Sequence, residues 1–287
     1  RTARPWRQPA QRPGEGFGTL GSSAPAAPAR RLPRMPHLDA ATAAILAGGA
    51  LVAGVANAVA GGGSLISFPA LLWAGYAPVV ANVTNTVALL PGYAGGTVGY
   101  RPELAGQAAR AWRLVAVSTV GAVLGSLLLL AGPEALFSRL VPWLILFSCV
   151  VLAAQPAIAR WMRARSGAGR GDASPLLLGA QLIGGVYGAY FGAGLGVLML
   201  AVLGVFVEDG LQRLNALKGL LSLTINLVAT VCFVVAGRVA WEAVAIMAVA
   251  SLLGGRMGVT VARRLDDRLL RALVIGFGVA VAIRLLL

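Results

Sequence analysis

The sequence predicts an all-α, polytopic transmembrane helical bundle of about eight spans, built from two duplicated four-span halves with glycine-broken helices. Three observations support this fold class. Hydrophobic residues make up 58% of the 287 residues even before the 38 glycines are counted, and charged residues only 12%, whereas soluble domains are about 45–50% apolar with glycine included. The apolar residues fall into runs near the roughly 20 residues that a spanning helix needs. Similar runs also recur in the two halves of the chain.

The first 37 residues differ from the rest. Residues 1–37 carry seven arginines and several prolines but no apolar run, so we expect a disordered basic tail. Met35 directly precedes the first apolar run. The alternative therefore stays open that residues 1–34 are a mis-called upstream extension.

From residue 40 onward the chain is a series of apolar runs, for which helices are predicted because lipid offers backbone groups no other local partner. Two shorter pieces, 64–75 and 196–207, follow glycine-rich segments, and we interpret them as half-helices or as second halves of broken helices. Eight runs are long enough to span a membrane: 41–60, 80–99, 113–131, 138–159, 175–195, 212–236, 241–261 and 268–287.

An internal repeat divides the apolar region. Ser118-x-x-Gly121-x-x-x-Gly125 returns 133 residues later as Ser251-x-x-Gly254-x-x-x-Gly258. A shift of 131 places Gly54 on Gly185 and Gly61 on Gly192. We interpret residues 38–159 as a first transmembrane repeat, 160–174 as a basic linker and 175–287 as a second repeat. Internal repeats are typical of secondary transporters, whose substrate sites lie between the repeats.

The net charge of +14 comes from arginine clusters between apolar runs. That distribution is typical of span flanks rather than of the single basic face of a nucleic-acid binder, so we expect the lipid bilayer and no nucleic acid as partner. With eight spans and a cytoplasmic N-terminus, loops 100–112 and 160–174 satisfy the positive-inside rule, whereas the arginines at 263–271 do not. A ninth crossing by a short apolar piece would remove this conflict.

Two glycine clusters are candidate substrate-binding segments. Adjacent glycines weaken a helix by about 1 kcal/mol each, and a helix interrupted inside the membrane exposes N–H groups that suit an anion. The alternative is close helix packing through small-residue ridges. The residues proposed for binding are Gly61, Gly62, Gly63 and Ser64 in the first repeat and Gly192 and Gly194 in the second.

Polar side chains inside predicted spans form the second candidate set: Asn82, Thr84 and Asn85, with Asn215 and Lys218 at the matching place of the second repeat. Lys218 is the chain's one lysine, and a charge at membrane depth usually marks a pathway or site. The alternative for this lysine is snorkelling to the interface. Arg256 has the same two interpretations.

Residues for catalysis are missing from the predicted spans. They hold no deep carboxylate, the one histidine is His37 in the tail, and no nucleophile, metal-ligand or phosphate-loop pattern occurs. We therefore predict no enzyme activity, no catalytic residue, no metal site and no cofactor. Hydroxyls, amides and cations remain, and that inventory favours a small anionic substrate.

Several of these segments together resemble the sulfite exporter TauE/SafE family, also called the toluenesulfonate uptake permease family, over roughly residues 40–287: the glycine-rich segment before Pro69, Asn82-x-Thr84-Asn85, Asn215-Ala216-x-Lys218 and Gly254-Gly255-Arg256-x-Gly258. The resemblance implies a multi-pass protein of the bacterial inner membrane that transports small anions such as sulfite or organosulfonates. The alternative is a non-transporting membrane assembly or anchoring subunit. Neither the substrate nor the oligomeric state is predicted further.

Overall fold

The computed structural model describes residues 38–59, 61–164, 174–261 and 267–287. These residues form ten α-helices and one short 3-10 helix, Pro102–Leu104, and contain no strand, which confirms the predicted all-α class. The expected tail at 1–37 and most of the linker at 160–174 lie outside them. The helices are α1 (Ala40–Val59), α2 (Ser64–Trp73), α3 (Pro78–Gly99), α4 (Ala108–Ala131), α5 (Glu134–Ala164), α6 (Pro175–Tyr190), α7 (Leu195–Phe206), α8 (Leu211–Val235), α9 (Trp241–Val261) and α10 (Asp267–Leu286).

Each predicted span overlaps one long helix, and the two short apolar pieces form α2 and α7. Within the described residues, four segments are long and apolar enough to cross a membrane: Ala40–Asn57, Ala108–Ala131, Glu134–Ile158 and Leu211–Val235. Large apolar side chains also face outward, among them Trp112 at 74% and Val235 at 83% exposure. A surface of this kind fits a lipid environment.

The first glycine cluster reverses the direction of the chain. A Cβ on Gly49 of α1 would lie 3.1 Å from the Cβ of Ala70 in α2, and a Cβ on Gly63 would clash with the carbonyl oxygen of Ala53. Residues early in α1 therefore lie beside residues late in α2, so the two helices are antiparallel. We call Ala40–Trp73 hairpin 1 and residues 61–63 tip 1.

The second glycine cluster does the same. A Cβ on Gly184 of α6 would clash with the side chain of Met199 in α7, and one on Gly188 would lie 2.8 Å from Leu195. The predicted run 175–195 therefore ends at Tyr190, and α7 returns along α6. We call Pro175–Phe206 hairpin 2 and residues 191–194 tip 2.

The reversal has a physical cause in glycine. Gly61 and Gly192 have φ values of +81° and +74°, a region that L side chains adopt at a cost of about 1–2 kcal/mol. Both residues donate to the carbonyl five residues back, Gly61 to Ala56 and Gly192 to Tyr187. The glycine segments thus end one helix and turn the chain, rather than interrupting a helix that continues in line.

The helices of the first repeat pack mainly against those of the second: α1 against α9, α4 against α6, and α3 against both α8 and α9. Glycines allow this close approach. A Cβ on Gly54 would clash with the Ser251 carbonyl oxygen, and one on Gly185 would lie 3.1 Å from that of Ser118. These two contacts join residues that the repeat relates, and at both positions glycine allows the two helices to approach closely.

Candidate substrate site at the hairpin tips

The tips of the two hairpins meet inside the protein. A Cβ on Gly61 of tip 1 would lie 3.2 Å from the Cα of Gly196, in the first turn of α7. The rings of Phe68 in α2 and Phe191 in tip 2 pack edge to face with centroids 5.4 Å apart. Gly61 combines a positive φ with this approach, so a larger residue there would be strained and would push the hairpins apart.

Lys218 of α8 reaches this contact. Its Cδ lies 3.8 Å from the point that a Cβ on Gly196 would occupy. The side chain of Lys218 is half-buried. Among the residues that the structure places, the Lys218 ammonium has no hydrogen-bond or ion-pair partner. The lone lysine of the chain therefore stands beside the point where both hairpins meet.

The start of α7 adds a second donor at the same place. The N–H groups of Val197 and Leu198 both bond to the carbonyl of Gly194, but that of Gly196 takes no backbone partner within the described residues. Unpaired N–H groups and the positive end of the helix dipole make a helix N-terminus favourable for an anion. Lys218 and α7 together supply positive charge and a free donor.

Tip 1 is held by amide and hydroxyl groups. The Oδ1 of Asn57 accepts from the N–H of Gly63 at 2.8 Å, and the Oγ of Ser67 donates to the Gly63 carbonyl at 3.4 Å. The Tyr93 hydroxyl of α3 lies beside Asn57 and the buried Ser64. The predicted residues Gly63 and Ser64 thus belong to a polar cluster that fixes the turn, while Gly62 packs against Leu152.

Tip 2 is held through one carbonyl oxygen, that of Ala193. It accepts from the Oγ of Ser148 at 3.0 Å and from the Tyr187 hydroxyl at 2.6 Å, and these two hydroxyls lie 2.8 Å apart. Gly194, in the left-handed region with φ +73°, packs against Ser148. Sequence reasoning missed Ser148, Tyr187 and Tyr93. The sequence feature that could have identified these residues was a hydroxyl group inside an apolar run.

The remaining predicted residues have separate places. Asn82 donates from Nδ2 to the Tyr190 carbonyl at 2.9 Å, next to tip 2. The Oγ1 of Thr84 accepts from the N–H of Ala240 at 3.1 Å and so caps the start of α9. Asn85 is 2% exposed, and its Oδ1 has no hydrogen-bond partner in the described part of the chain. No hydrogen bond within the placed residues joins Asn85 or Asn215 to Lys218.

Arg256, the other predicted intramembrane cation, lies on an exposed face of α9. This position agrees with snorkelling rather than with a second cation at the tips. Among the described residues, no group of three or more histidine, cysteine or acidic side chains is arranged to hold a metal ion.

The outer ends of the hairpins, which we call their bases, differ in charge. After hairpin 2, Asp209 accepts from Arg110 at 3.0 Å and from Arg213 at 2.7 Å. Burial raises the pKa of Asp209, but the hydrogen bonds from Arg213 and Arg110 outweigh it and hold the pKa below its usual value. After hairpin 1, burial raises the pKa of Tyr76, and the charge of Glu242 raises it further.

Comparison with known proteins gives consistent matches. The family described as "Sulfite exporter TauE/SafE" matches residues 46–285. A "Probable membrane transporter protein" of Haemophilus influenzae is 27% identical over 226 residues, covering 78% of this chain and 86% of the relative. "Probable membrane transporter protein ORF9" of Sinorhizobium sp is 27% identical over 243 residues, covering 83% and 89%. "Probable membrane transporter protein YfcA" of Escherichia coli K12 is 25% identical over 237 residues, covering 83% and 87%. No solved structure matches.

Proposed function

This chain belongs to the sulfite exporter TauE/SafE family, and we propose that it is a secondary transporter of small anions such as sulfite or organosulfonates. The family assignment made from the sequence is confirmed. The printed names of the relatives describe membrane transporters, which supports transport as the general activity. The anionic substrate class is our proposal and rests on the site.

One observation carries that proposal: the uncompensated Lys218 at the meeting point of the two hairpins. A charged side chain inside a membrane costs a few kcal/mol or more, and the described residues around Lys218 supply no anion to offset that cost. A bound oxyanion would pair with the ammonium and accept from the free N–H of Gly196. Hydrogen bonds to charged groups contribute about 1.5–3 kcal/mol each, enough to hold a small anion reversibly.

We infer an arrangement of six membrane crossings and two re-entrant hairpins. In this arrangement the antiparallel helices return each hairpin to the face where it began, and α1 does not cross although its segment Ala40–Asn57 is long enough to do so. α3, α4 and α5 then cross the membrane, as do α8, α9 and α10. Three crossings per repeat give the two repeats opposite orientations, which is the inverted architecture of many secondary transporters. The paired contacts of Gly54 and Gly185 support this relation.

The same arrangement supports an orientation in the bacterial inner membrane. In this arrangement α3, α5, α7 and α9 end at one face, and the sequence segments that follow them, including the arginines at 263–271, are rich in arginine. By the positive-inside rule that face is cytoplasmic. This orientation needs no ninth crossing, but it places the start of α1 on the opposite face, unlike the cytoplasmic N-terminus assumed for eight spans. The sequence places twelve arginines in or beside these segments: 101, 110, 113, 160, 163, 165, 170, 213, 263, 264, 268 and 271.

The test is anion flux in proteoliposomes loaded with radiolabelled sulfite or a small sulfonate. Lys218→Ala should lower flux at least about tenfold, because it removes a charge-assisted contact of 1.5–3 kcal/mol. Lys218→Arg, which keeps the charge, should retain part of the flux. Arg256→Gln is the matched control, because that arginine is exposed on α9.

Two results would contradict the proposal. Wild-type flux in a folded Lys218→Ala protein would remove Lys218 from the site. A wild-type protein that carries no anion of either class, and that co-purifies with a stable partner, would instead favour the assembly or anchoring subunit.

A further inference from the structure

A long apolar groove runs between α1, α2 and α10 on the outside of hairpin 1. Its volume is about 940 Å³, near the top of the roughly 300–1,000 Å³ range of small-molecule pockets. Apolar side chains of all three helices line it, among them Ile45, Ile66 and Phe277. Gly48 also lines it, and a Cβ there would meet nothing within 4 Å. The absence of a side chain at Gly48 therefore leaves part of the groove open.

The polar features of the groove lie at one end. α2 and α10 are parallel, because a Cβ on Gly62 would lie 3.7 Å from Val274 and one on Gly278 would lie 3.8 Å from Leu65. Their C-terminal ends therefore lie at the same end of the groove, with Trp73 on α2 and Arg284 on α10. Trp73 is 63% exposed, and Arg284 is exposed without a partner among the described residues.

We propose that this groove binds one anionic phospholipid, with an acyl chain along the apolar wall and the phosphate on Arg284. Arginine is well suited to phosphate because its planar group donates two parallel hydrogen bonds. Tryptophan prefers the headgroup level of a bilayer, where one side of the ring is apolar and the other is wet. The groove thus offers a positive charge at one end and an apolar wall along the rest, which matches the anionic headgroup and the acyl chain of such a lipid.

Charge also argues against a second copy of this chain as the occupant. The lining contains Arg284 and no carboxylate. A two-fold dimer through this surface would bring Arg284 against the same apolar lining or against its own copy. An unpaired arginine in such an interface costs several kcal/mol. An anionic headgroup removes that cost.

The experiment is native mass spectrometry of the full chain in detergent, titrated with phosphatidylglycerol or with phosphatidylcholine of the same acyl chains. Arg284→Gln should weaken phosphatidylglycerol binding about fivefold, the effect of one basic residue at a membrane surface, and leave phosphatidylcholine binding unchanged. Gly48→Leu should weaken binding of both lipids, because the added side chain extends into the groove, where a Cβ at residue 48 meets nothing within 4 Å.

Matched controls separate the site from the general lipid surface. Arg139→Gln removes another exposed arginine, and Gly276→Leu adds a side chain at another glycine with open space; neither should change lipid binding. Equal effects of Arg284→Gln and Arg139→Gln would overturn the proposal, as would unchanged binding in Gly48→Leu. A protein dimer that Gly48→Leu dissociates would also overturn it, in favour of a second copy.

Discussion

The two helical hairpins turn in the same way but are held by different side chains. In both tips a glycine N–H bonds to the carbonyl five residues back, at 2.9 Å for Gly61 and 3.1 Å for Gly192. Tip 1 is then fixed by the amide of Asn57 within its own hairpin. Tip 2 is fixed partly from outside, because Ser148 belongs to α5.

This difference shows which properties the two repeats share. The backbone turn depends on glycine alone, so it recurs wherever the glycines recur. The stabilising side chains do not recur: position 188, which matches Asn57, is glycine. Lys218 matches Asn85 in the first repeat, and only one of the two carries charge. A nearly symmetric backbone therefore holds an asymmetric binding chemistry.

The largest expected effect tests how tightly each hairpin packs against the opposite repeat. Gly54→Ala should destabilise the protein by about 3 kcal/mol or more, because its Cβ would clash with the carbonyl oxygen of Ser251 and force α1 and α9 apart. Gly185→Ala, at 3.1 Å, should cost about 1 kcal/mol. Thermal unfolding in detergent measures both, with Gly48→Ala as the open-space control. Equal losses at the two positions would show that the hairpins pack equally tightly.

The next effect concerns the bonds at the tips. Asn57→Ala leaves the Gly63 N–H without its acceptor, at a cost of about 1–3 kcal/mol for an unsatisfied buried donor. Tyr187→Phe removes one donor to the Ala193 carbonyl, and the single proton of Ser148, which the Leu144 carbonyl also accepts at 2.7 Å, can turn to it, so about 0.5–1 kcal/mol should be lost. The same unfolding measurement compares them. A larger loss for Tyr187→Phe would mean that tip 2 depends on its hydroxyl more than tip 1 depends on its amide.

The smallest effect concerns the bases of the hairpins. Asp209 has a lowered pKa in the folded protein, so its stabilising contribution is complete above its unfolded pKa of about 3.9. That contribution disappears as the pH falls through the lower folded value. Asp209→Asn should therefore reduce the acid sensitivity of unfolding. Tyr76, whose pKa is raised, stays neutral at acidic pH. Tyr76→Phe should therefore leave the loss of stability at acidic pH unchanged.

Much of the fold follows from the sequence because spanning helices have a fixed minimum length and few polar residues. The positions of both glycine turns were also evident. The direction of the chain after each turn was not evident, because a left-handed glycine that reverses a chain and a glycine that interrupts a straight helix have the same sequence pattern. The packing partner decides between them, and the contact between Gly49 and Ala70 is visible only in three dimensions.

The site was predictable to a smaller extent. Lys218 was identified by its charge, which is expensive in an apolar run. Ser148 was missed because a serine hydroxyl in a helix usually bonds to the carbonyl one turn back, as Ser148 does with Leu144. Tyr187 was missed because the apolar ring of a tyrosine packs readily in an apolar run. Thr84 stays a predicted binding residue, and its hydroxyl also accepts from the N–H of Ala240 at the start of α9. Sequence spacing locates a side chain along its own helix but does not identify the neighbour it reaches.

The pairing of α1 with α9 and of α4 with α6 has a consequence for biosynthesis. A ribosome that has delivered the first repeat to the membrane has made neither α6 nor α9, and α9 is complete only about 200 residues after α1. During that interval the glycine face of α1 is open to lipid or to a wrong helix, and contacts between distant parts of a chain form slowly. Folding of this protein is therefore completed only at the end of synthesis. In a protein of independent domains a truncated chain can still contain one folded domain, whereas a chain of this protein truncated before α9 leaves α1 without its packing partner.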